Sequence, residues 1–379
     1  MREVCIIGVG IHKFGRFPDK TFIDLGSKAT VDALADANVG WGQIQAAYCG
    51  SVYNGSGAGS NMLAEVGLSG IPIMGAEAAC AAGGVALNLG YQAIARGEYD
   101  MVLAVGFEKM SRGFIVSPRF QDWERHMGLG VNPIWMGLAA KRHMAEYGTT
   151  VDQLVKVSVK SHKNGALNPN AMYQKEMSYD EILNSPMVCD PLHLFMLCAP
   201  NEGAAAAILC TKDKARQYSS KPVVIAASEV RSAKLVSDRN LGVHYAGSVR
   251  KPNVIERVSR AAYEAAGIGP QDLSLVELQD TDAASEIIYA EDLGLCKEGD
   301  GGRLVDEGVT EINGRIPINV SGGLISKGEP VGASALGQIH EIVLQLRGEA
   351  GARQVDKARI GLGHVYGGGG YSCVTILKR

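Results

Sequence analysis

The chain has 379 residues, of which 46% are hydrophobic and 20% charged, with a formal net charge of −3. This balance is typical of a globular protein and excludes a disordered chain or a basic nucleic-acid-binding protein. The length favours one large or two packed domains. No apolar run reaches the ~18 residues of a membrane span. The first residues lack a signal-peptide cleavage pattern, so we expect a soluble, cytoplasmic protein.

Strand-like and helix-like segments alternate along the chain, which predicts an α/β fold. The segments that carry this prediction are a strand at 4–10, an amphipathic helix at 21–40 ended by Gly40, a strand at 46–52, then a strand at 221–230, a helix at 253–269 ended by Gly267 and Gly269, and a strand at 273–280. The second series repeats the order of the first.

The repetition extends to particular sequences. Ile-Pro-Ile occurs at 71–73 and again at 316–318, and each copy runs into a small-residue turn and then a long apolar helix. Each copy then ends in a strand, at 100–108 and at 357–365. Repeats of this size indicate two related domains and not a solenoid. We therefore expect a duplicated α/β unit at residues 1–120 and 218–379, with both central helices buried between sheets.

Residues of about 121–217 have no counterpart in the second copy, so we interpret them as an insertion. The segment contains two tryptophans, several methionines and loop-forming glycines. Long excursions of this kind usually cover an active site or bind a ligand. The alternative is a dimer surface, because apolar patches often mark contacts.

The eight cysteines show no close Cys-x-x-Cys pair and no histidine at metal-binding spacing, so we expect reduced thiols and no metal site. Cys5, Cys210 and Cys373 lie in apolar strand-like runs, where a free cysteine behaves as a small buried hydrophobe.

Cys80 differs from those three because alanines and glycines surround it. It follows the strand-like run at 71–75 and a short turn, and it precedes the helix predicted at 81–97. Free N–H groups and the positive end of a helix stabilise a thiolate, which is the nucleophilic form. The small neighbours would admit a long, thin substrate. Cys80 is therefore a candidate nucleophile, with a buried structural thiol as the alternative.

Five segments resemble the thiolase superfamily, in particular its sterol-carrier-protein-type and archaeal branch. They lie in the family's order at 76–111, 190–209, 276–286, 319–342 and 363–377. The resemblance implies a five-layer α/β/α/β/α core of two duplicated halves with an inserted loop domain. It also implies that Cys80 takes up an acyl group from a CoA ester, with CoA as co-substrate and no bound cofactor.

The glycine run after His364 would, by the same resemblance, approach the thioester. Gly367 and the amide of Cys80 are then the expected oxyanion donors, with Gly368 and Tyr366 beside them. Backbone N–H groups suit this task because they are fixed before the reaction. The alternative is a flexible C-terminal turn.

The chain departs from the family at three motifs. Gly328-Glu329-Pro330 replaces Gly-His-Pro, Gln279-Asp280 replaces the Asn-Glu or His-Asp pair, and His364 stands where many members have a second cysteine. A thiolase needs a base for its nucleophile and an acid/base for the leaving carbon. We expect His364 in that role, with Glu329 and Asp280 orienting it or exchanging protons and Gln279 donating to a thioester oxygen. The alternatives are a helix-N-terminal carboxylate for Glu329 and a cap for Asp280.

Three functions remain open. The first is thiolytic cleavage of a branched or aromatic 3-oxoacyl-CoA, as in benzoylsuccinyl-CoA thiolases. The second is a thiolase-like retro-aldolase that works by proton transfer with tyrosines, for which Tyr366 is available. The third is a non-catalytic lipid-carrier or scaffold subunit, which would explain the lost histidine but not the setting of Cys80. The resemblance further implies a homodimeric core and a small partner with a zinc ribbon and an OB-fold.

Overall fold

A computed structural model describes residues 1–113, 121–234 and 252–379. The strands are β1 (Val4–Gly15), β2 (Ala46–Gly50), β3 (Ile73–Ala76), β4 (Met101–Glu108), β5 (Met187–Cys189), β6 (Leu192–His193), β7 (Glu202–Thr211), β8 (Val223–Ser232), β9 (Leu275–Glu277), β10 (Ile360–Gly367) and β11 (Tyr371–Lys378). The helices are α1 (Phe22–Ala37), α2 (Ala58–Ala64), α3 (Ala82–Arg96), α4 (Asp122–His126), α5 (Asn132–Tyr147), α6 (Val151–Ala166), α7 (Tyr179–Leu183), α8 (Lys212–Tyr218), α9 (Val254–Ala266), α10 (Ala283–Asp292), α11 (Gly301–Asp306), α12 (Gly323–Ser326) and α13 (Ser334–Arg347).

The main sheet has the strand order β3-β2-β4-β7-β1-β8-β11-β10-β9. Read outward from its centre, each half has the same directions: two antiparallel neighbours and then parallel ones. In the second half Ile318 makes a parallel bridge to Val276, at the place that β3 takes beside β2. The predicted duplication is therefore confirmed. The halves join through two residue pairs of β1 and β8, Cys5 with Val224 and Ile6 with Val223.

Helices divide this sheet into layers. Helix α1 packs on β1, β4 and β7, while α9 packs on β8 and β11. Helices α3 and α13 touch each other and strands of both halves. Leu87 and Ile94 of α3 share one buried cluster with Ile339 and Ile342 of α13. One half of the sheet therefore packs against α1 and the helix pair α3 and α13, and the other half packs against the same pair and α9. This is the five-layer arrangement expected from the sequence.

Local signals set most helix ends. Thr21 caps α1 by accepting from the Asp24 N–H, and Asn253 caps α9 in the same way. Gly267 ends α9 in the left-handed conformation, as predicted. The expectation that Gly40 ends α1 is wrong, because Asn38 takes the left-handed position two residues earlier. Asparagine tolerates this conformation better than other residues that carry a Cβ.

The insertion follows β4 and contains α4–α7 with the small β5–β6 ladder. Strand β7 lies inside the sheet of the first half, between β4 and β1, although its sequence falls within the predicted insertion. Its alanine-rich run, EGAAAAILCT, is buried at every position, as expected for a strand inside a sheet. We therefore propose that the insertion ends near residue 201 and not at 217.

The predicted strand at 273–280 is shorter in the structure, because regular pairing stops after Glu277. The residues that follow it form the site described below. Cys5, Cys210 and Cys373 lie buried in strands, as expected. No described helix is long and apolar enough to cross a membrane. In the described ranges, no group of three or more His, Cys, Asp or Glu side chains is arranged to hold a metal ion.

Candidate active site

Cys80 lies in the turn between β3 and α3. Ala79, just before it, adopts the left-handed conformation with φ 50°, which is unusual for a residue with a Cβ. The Ala79 N–H donates to Glu77 Oε1 at 2.8 Å, and the Ala82 N–H donates to the Ala79 carbonyl at 2.9 Å. This bend presents the thiol at the N-terminal end of α3. The residue is 9% exposed, so its sulfur lies in a nearly closed space.

Two glycines allow the backbones to close around the sulfur. A Cβ on Gly367 would lie 2.2 Å from the Ala78 carbonyl oxygen, and one on Gly83 would lie 2.7 Å from the Gly332 carbonyl oxygen. Both distances are shorter than side-chain atoms tolerate. The C-terminal glycine run is therefore packed against the Cys80 turn, and the alternative of a flexible turn does not hold for Gly367.

The Cys80 thiol faces Glu329 and the Gly368 amide, which both hydrogen-bond to it. Burial raises the pKa of the thiol well above its ordinary value, and the Glu329 carboxylate raises it further. The Gly368 N–H acts in the opposite direction. Burial thus opposes the stabilisation that the start of α3 gives to the thiolate form of Cys80. The thiol needs a base.

Glu329 is the carboxyl group that interacts with this thiol. It lies in the segment between α12 and α13, held by hydrogen bonds from the Glu329 N–H to the Ala199 carbonyl at 3.0 Å and from the Asn201 N–H to the Glu329 carbonyl at 3.4 Å. Its side chain is 1% exposed. Burial raises the pKa of the carboxyl group, while hydrogen bonds from Cys198, Cys80 and Gln279 lower it. A carboxylate with a raised pKa is a stronger base than an exposed one.

The alternative role for Glu329, a carboxylate in the first turn of a helix, does not fit the structure. Helix α13 begins at Ser334, and its first turn contains no acidic residue.

Gln279 and Cys198 complete the surroundings of this carboxylate. The Gln279 Nε2 donates to Glu329 Oε1 at 2.7 Å, and the Cys198 thiol donates to Glu329 Oε2 at 3.0 Å. Within the described residues, Gln279 Oε1 is buried and has no hydrogen-bond partner. Gln279 therefore lies in the site, with its amide group bonded to Glu329. Cys198 received no role from the sequence, since nothing local distinguishes it from a packing cysteine.

His364 lies on the other face of its strand. Its neighbour Val365 packs with Ala78 and Ala81 beside the Cys80 turn. Side chains alternate along a strand, so His364 points away from that turn. Its Nε2 lies 3.2 Å from the Ser372 hydroxyl, and its ring meets Tyr289 edge-on. Burial lowers the pKa of His364 to about 3. The expectation that this imidazole serves Cys80 is therefore not supported.

Tyr366 occupies the same side of β10 as His364. Its ring lies 6.3 Å from that of Tyr289, between ring centroids, in the outer core of the second half.

Asp280 is a helix cap. Its Oδ1 accepts from the Leu324 N–H at 2.7 Å, and its Oδ2 accepts from the Ile325 N–H at 3.5 Å, at the start of α12. The carboxyl group is fully buried, and burial raises its pKa well above the ordinary value. Gly323 leaves the space for it, since a Cβ there would lie 2.0 Å from Asp280 Oδ2. The predicted proton-transfer role is thus replaced by the capping role.

Glu108, at the end of β4, is a further buried carboxyl group that the sequence did not single out. It accepts hydrogen bonds from the N–H groups of Val52 at 3.0 Å, Tyr53 at 2.9 Å and Gly332 at 3.1 Å. Burial raises its pKa to about 7, against the opposing effect of these donors. Val52 and Val331 pack on Cys80. Glu108 therefore ties the two halves together beside the thiol.

A cavity of about 280 Å³ leads to the carboxylate from the insertion. Cys198 and Glu329 form one end of it. Its other described lining residues are mostly apolar: Arg16, Gly113, Asn132, Pro133, Met136, Met172, Tyr173, Leu194, Leu197, Ala199 and Pro200. Residues of the insertion therefore line the cavity beside Cys198 and Glu329. An apolar chamber that reaches the Cys198 thiol and the Glu329 carboxylate, which interacts with Cys80, suits acyl transfer to sulfur.

Comparison with known families agrees with this chemistry. The family described as "Thiolase, N-terminal domain" matches residues 4–213, and "Thiolase C-terminal domain-like" matches residues 243–379. Together they span most of the chain.

Three similar proteins each align with 97% or more of this chain. An acetyl-CoA acetyltransferase of Methanothermobacter thermautotrophicus is 40% identical over 391 residues, covering 100% of both chains. Sterol carrier protein 2 of Oryctolagus cuniculus is 38% identical, covering 99% of this chain and 72% of that protein. Benzoylsuccinyl-CoA thiolase subunit BbsB of Thauera aromatica is 33% identical, covering 97% and 95%.

Solved structures show the same fold. The "Ltp2-ChsH2(DUF35) aldolase" superposes with a TM-score of 0.87 at 23% identity, covering 99% of this chain and 97% of that one. Human mitochondrial 3-ketoacyl-CoA thiolase in complex with CoA gives a TM-score of 0.73 at 20% identity, covering 100% and 98%. The predicted resemblance is confirmed: the chain belongs to the thiolase family and is an acyltransferase of the thiolase type.

Proposed function

We propose that this enzyme cleaves a branched or aromatic 3-oxoacyl-CoA with CoA, through an acyl group carried on Cys80. The observation that carries the proposal is the hydrogen bond between the Cys80 thiol and Glu329, with the Gly368 amide at the same sulfur. A nucleophile, its base and an N–H donor then share one buried place.

In the first half-reaction Glu329 accepts the thiol proton, and the Cys80 sulfur attacks the C3 carbonyl carbon of the substrate. The C2–C3 bond breaks, the acyl group stays on sulfur, and the electron pair leaves as the enolate of the shortened CoA ester, which takes up a proton. In the second half-reaction CoA-SH attacks the acyl-cysteine. The acyl group moves to CoA, and the proton returns to Cys80.

Backbone donors stabilise the negative oxygen that develops during attack. The Gly368 N–H faces the sulfur, and the Cys80 N–H lies beside it. We assign the oxyanion site to these two groups, with Gly367 as the residue whose missing Cβ permits the close approach. Fixed donors in a water-poor site stabilise a developing charge more than they stabilise a neutral carbonyl.

The cavity supports a bulky acyl chain. Methionine and leucine side chains with the Tyr173 ring line it, and its volume of about 280 Å³ exceeds what an acetyl group needs. Methionine adapts to irregular apolar shapes. The relative named benzoylsuccinyl-CoA thiolase subunit agrees with an aromatic substrate.

A retro-aldolase acting on a CoA ester is the second candidate. The solved aldolase supports it by fold alone, and Tyr366 beside Tyr289 supplies a phenol in the second half. The shared Cys80–Glu329 hydrogen bond has no use in that reaction, which favours the thiolase. It has no use in a lipid carrier or scaffold either.

We also propose a homodimeric core and a small partner subunit. The names of two similar proteins agree with a partner: one relative is called a subunit, and the aldolase structure joins Ltp2 to ChsH2(DUF35). A cytoplasmic location stays a prediction.

Intact-protein mass spectrometry tests the function. The enzyme is incubated with acetyl-CoA and with branched and aromatic 3-oxoacyl-CoA esters. A mass increase equal to the acyl group, absent in Cys80→Ser and present in Cys189→Ser, is the expected result. Cys189 is a suitable control because its charged neighbours are Asp190 and Lys141 of the insertion and not Glu329. Substrate cleavage without any acyl-enzyme would favour the aldolase.

A further inference from the structure

The Glu329 carboxylate serves two thiols and not one. Cys198 donates to its Oε2 at 3.0 Å, and Cys80 also hydrogen-bonds to it, although Cys198 belongs to the segment that returns from the insertion. The Cys198 N–H donates to the Thr281 carbonyl at 2.9 Å, which fixes the backbone next to Gln279. The three side chains of Cys80, Cys198 and Gln279 therefore converge on one carboxyl group.

Cys198 also reaches the cavity. It lines the end of the apolar chamber together with Glu329, whereas Cys5, Cys210 and Cys373 lie within strands of the sheet. The side chain of Gln279 independently indicates that a ligand binds at this place. Gln279 Oε1, on a fully buried side chain bonded to the same carboxylate, has no hydrogen-bond partner among the described residues. Buried polar atoms without partners are rare, and a bound ligand satisfies them.

The cleavage described above needs a proton at the leaving carbon as well as a base at the nucleophile. His364 and Asp280 do not supply it, because one lies on the far face of β10 and the other caps α12. We propose that Cys198 is the catalytic acid that protonates C2 of the departing CoA-ester enolate, and the base that removes this proton in the reverse direction. The inference rests on the proposed function.

The protons balance around the carboxylate. Glu329 takes the proton of Cys80 as the sulfur attacks. The Cys198 S–H gives its proton to C2 as the C2–C3 bond breaks, and Glu329 passes the first proton to the Cys198 thiolate. At the acyl-enzyme stage Cys198 is again a thiol and Glu329 is again a carboxylate. No oxidant, metal or external acid takes part.

The environment suits a proton donor. Burial raises the pKa of Cys198 well above the ordinary value for a thiol, and Glu329 raises it further, so the thiol is protonated at neutral pH. An ester enolate is a far stronger base than a thiolate, so this transfer is downhill. A neighbouring carboxylate that accepts the S–H also orients its proton.

The test separates acyl transfer from proton transfer at carbon. Wild-type enzyme, Cys198→Ala, Cys198→Ser and the control Cys189→Ala are each incubated with acetyl-CoA in D₂O. Acetylation of Cys80 is measured by intact-protein mass, and deuterium uptake at C2 of acetyl-CoA by mass spectrometry. Serine keeps the shape of the side chain and a hydrogen bond to Glu329, which controls for packing, but its hydroxyl is a much weaker acid.

We expect both Cys198 variants to acetylate within about threefold of wild type and to lose deuterium uptake by about 10²- to 10⁴-fold, the usual contribution of a positioned acid or base. Cys189→Ala should match wild type in both. Wild-type deuterium uptake in Cys198→Ala overturns the inference, and so does loss of acetylation in parallel with exchange. Absence of acetylation in the wild-type enzyme instead overturns the proposed function.

Discussion

The two duplicated halves each send a central helix inward from the turn after an Ile-Pro-Ile segment, and these two turns meet at the site. In the first half the turn carries Cys80, next to the start of α3 at Ala82. In the second half it carries Glu329, farther from the start of α13 at Ser334. In the proposed reaction the same unit thus supplies the nucleophile in one copy and the base in the other.

The difference in distance from the helix has a physical consequence. The positive end of a helix stabilises an anion within its first turn. Cys80 is close enough to gain this help once its proton has left. Glu329 stands off from α13, so burial keeps its pKa raised and the carboxylate basic. Neither half is a complete site, because each contributes one partner of the proton transfer.

The largest loss of activity is expected when the thiol of the first half is removed. Cys80→Ser should lower thiolysis by at least about 10⁴-fold, since a serine hydroxyl next to a carboxylate stays protonated. Steady-state cleavage of a competent 3-oxoacyl-CoA measures the effect. Cys189→Ser should keep wild-type turnover, and near-normal turnover of Cys80→Ser would rule out the acyl-cysteine.

The second-largest loss of activity is expected when the Glu329 carboxylate of the second half is made neutral. Glu329→Gln keeps the size and one hydrogen-bond acceptor but cannot take a proton, so turnover should fall by about 10²- to 10⁴-fold. The rate of acyl-enzyme formation, followed in reactions quenched at successive times, measures this fall. His364→Gln, at the site where the sequence placed the imidazole base, is the matched comparison. A larger loss in that variant than in Glu329→Gln would reverse the assignment.

The pH dependence of kcat/KM also tests whether Glu329 is the base. The base acts as a carboxylate and its pKa is raised above 4.5, so kcat/KM should fall by about tenfold per pH unit below that raised pKa. The fall should begin at a higher pH than an exposed glutamate gives. Glu329→Gln should lose this acid limb. An unchanged limb in that variant would assign it to another group.

The smallest effect on activity is expected at His364. Its pKa in the fold is about 3, below the ordinary 6.5 of an unfolded histidine, so the ring stays neutral. As pH falls from 6.5 toward 3 the unfolded chain binds a proton that the fold does not, and stability is lost across that window. His364→Gln should reduce this loss while turnover at pH 7 stays within a few-fold.

Urea unfolding of wild type and His364→Gln at pH 7 and pH 5 measures it. Equal loss of stability in both proteins would show that His364 does not contribute. His340 is a useful second site, since burial also lowers its pKa, to about 4.

The face of β10 illustrates what the sequence leaves open. Its residues are buried almost throughout, so no alternation of polar and apolar positions indicates which side chains face the Cys80 turn. The sequence alone therefore leaves His364 available to the thiol. Packing of Val365 on Ala78 and Ala81 decides the question. Asp280 is a similar case, since α12, which it caps, begins 43 residues later at Gly323.

The sequence by itself determined the duplication, the helix that starts after Cys80 and the left-handed Gly267, because these depend on neighbours along the chain. The membership of β7 in the first sheet and the meeting of Cys198 with Glu329 were decided by tertiary structure. Those two residues are 131 positions apart. Their hydrogen bond exists because the insertion returns to the sheet beside the turn of the second half, and no local pattern encodes a contact of that range.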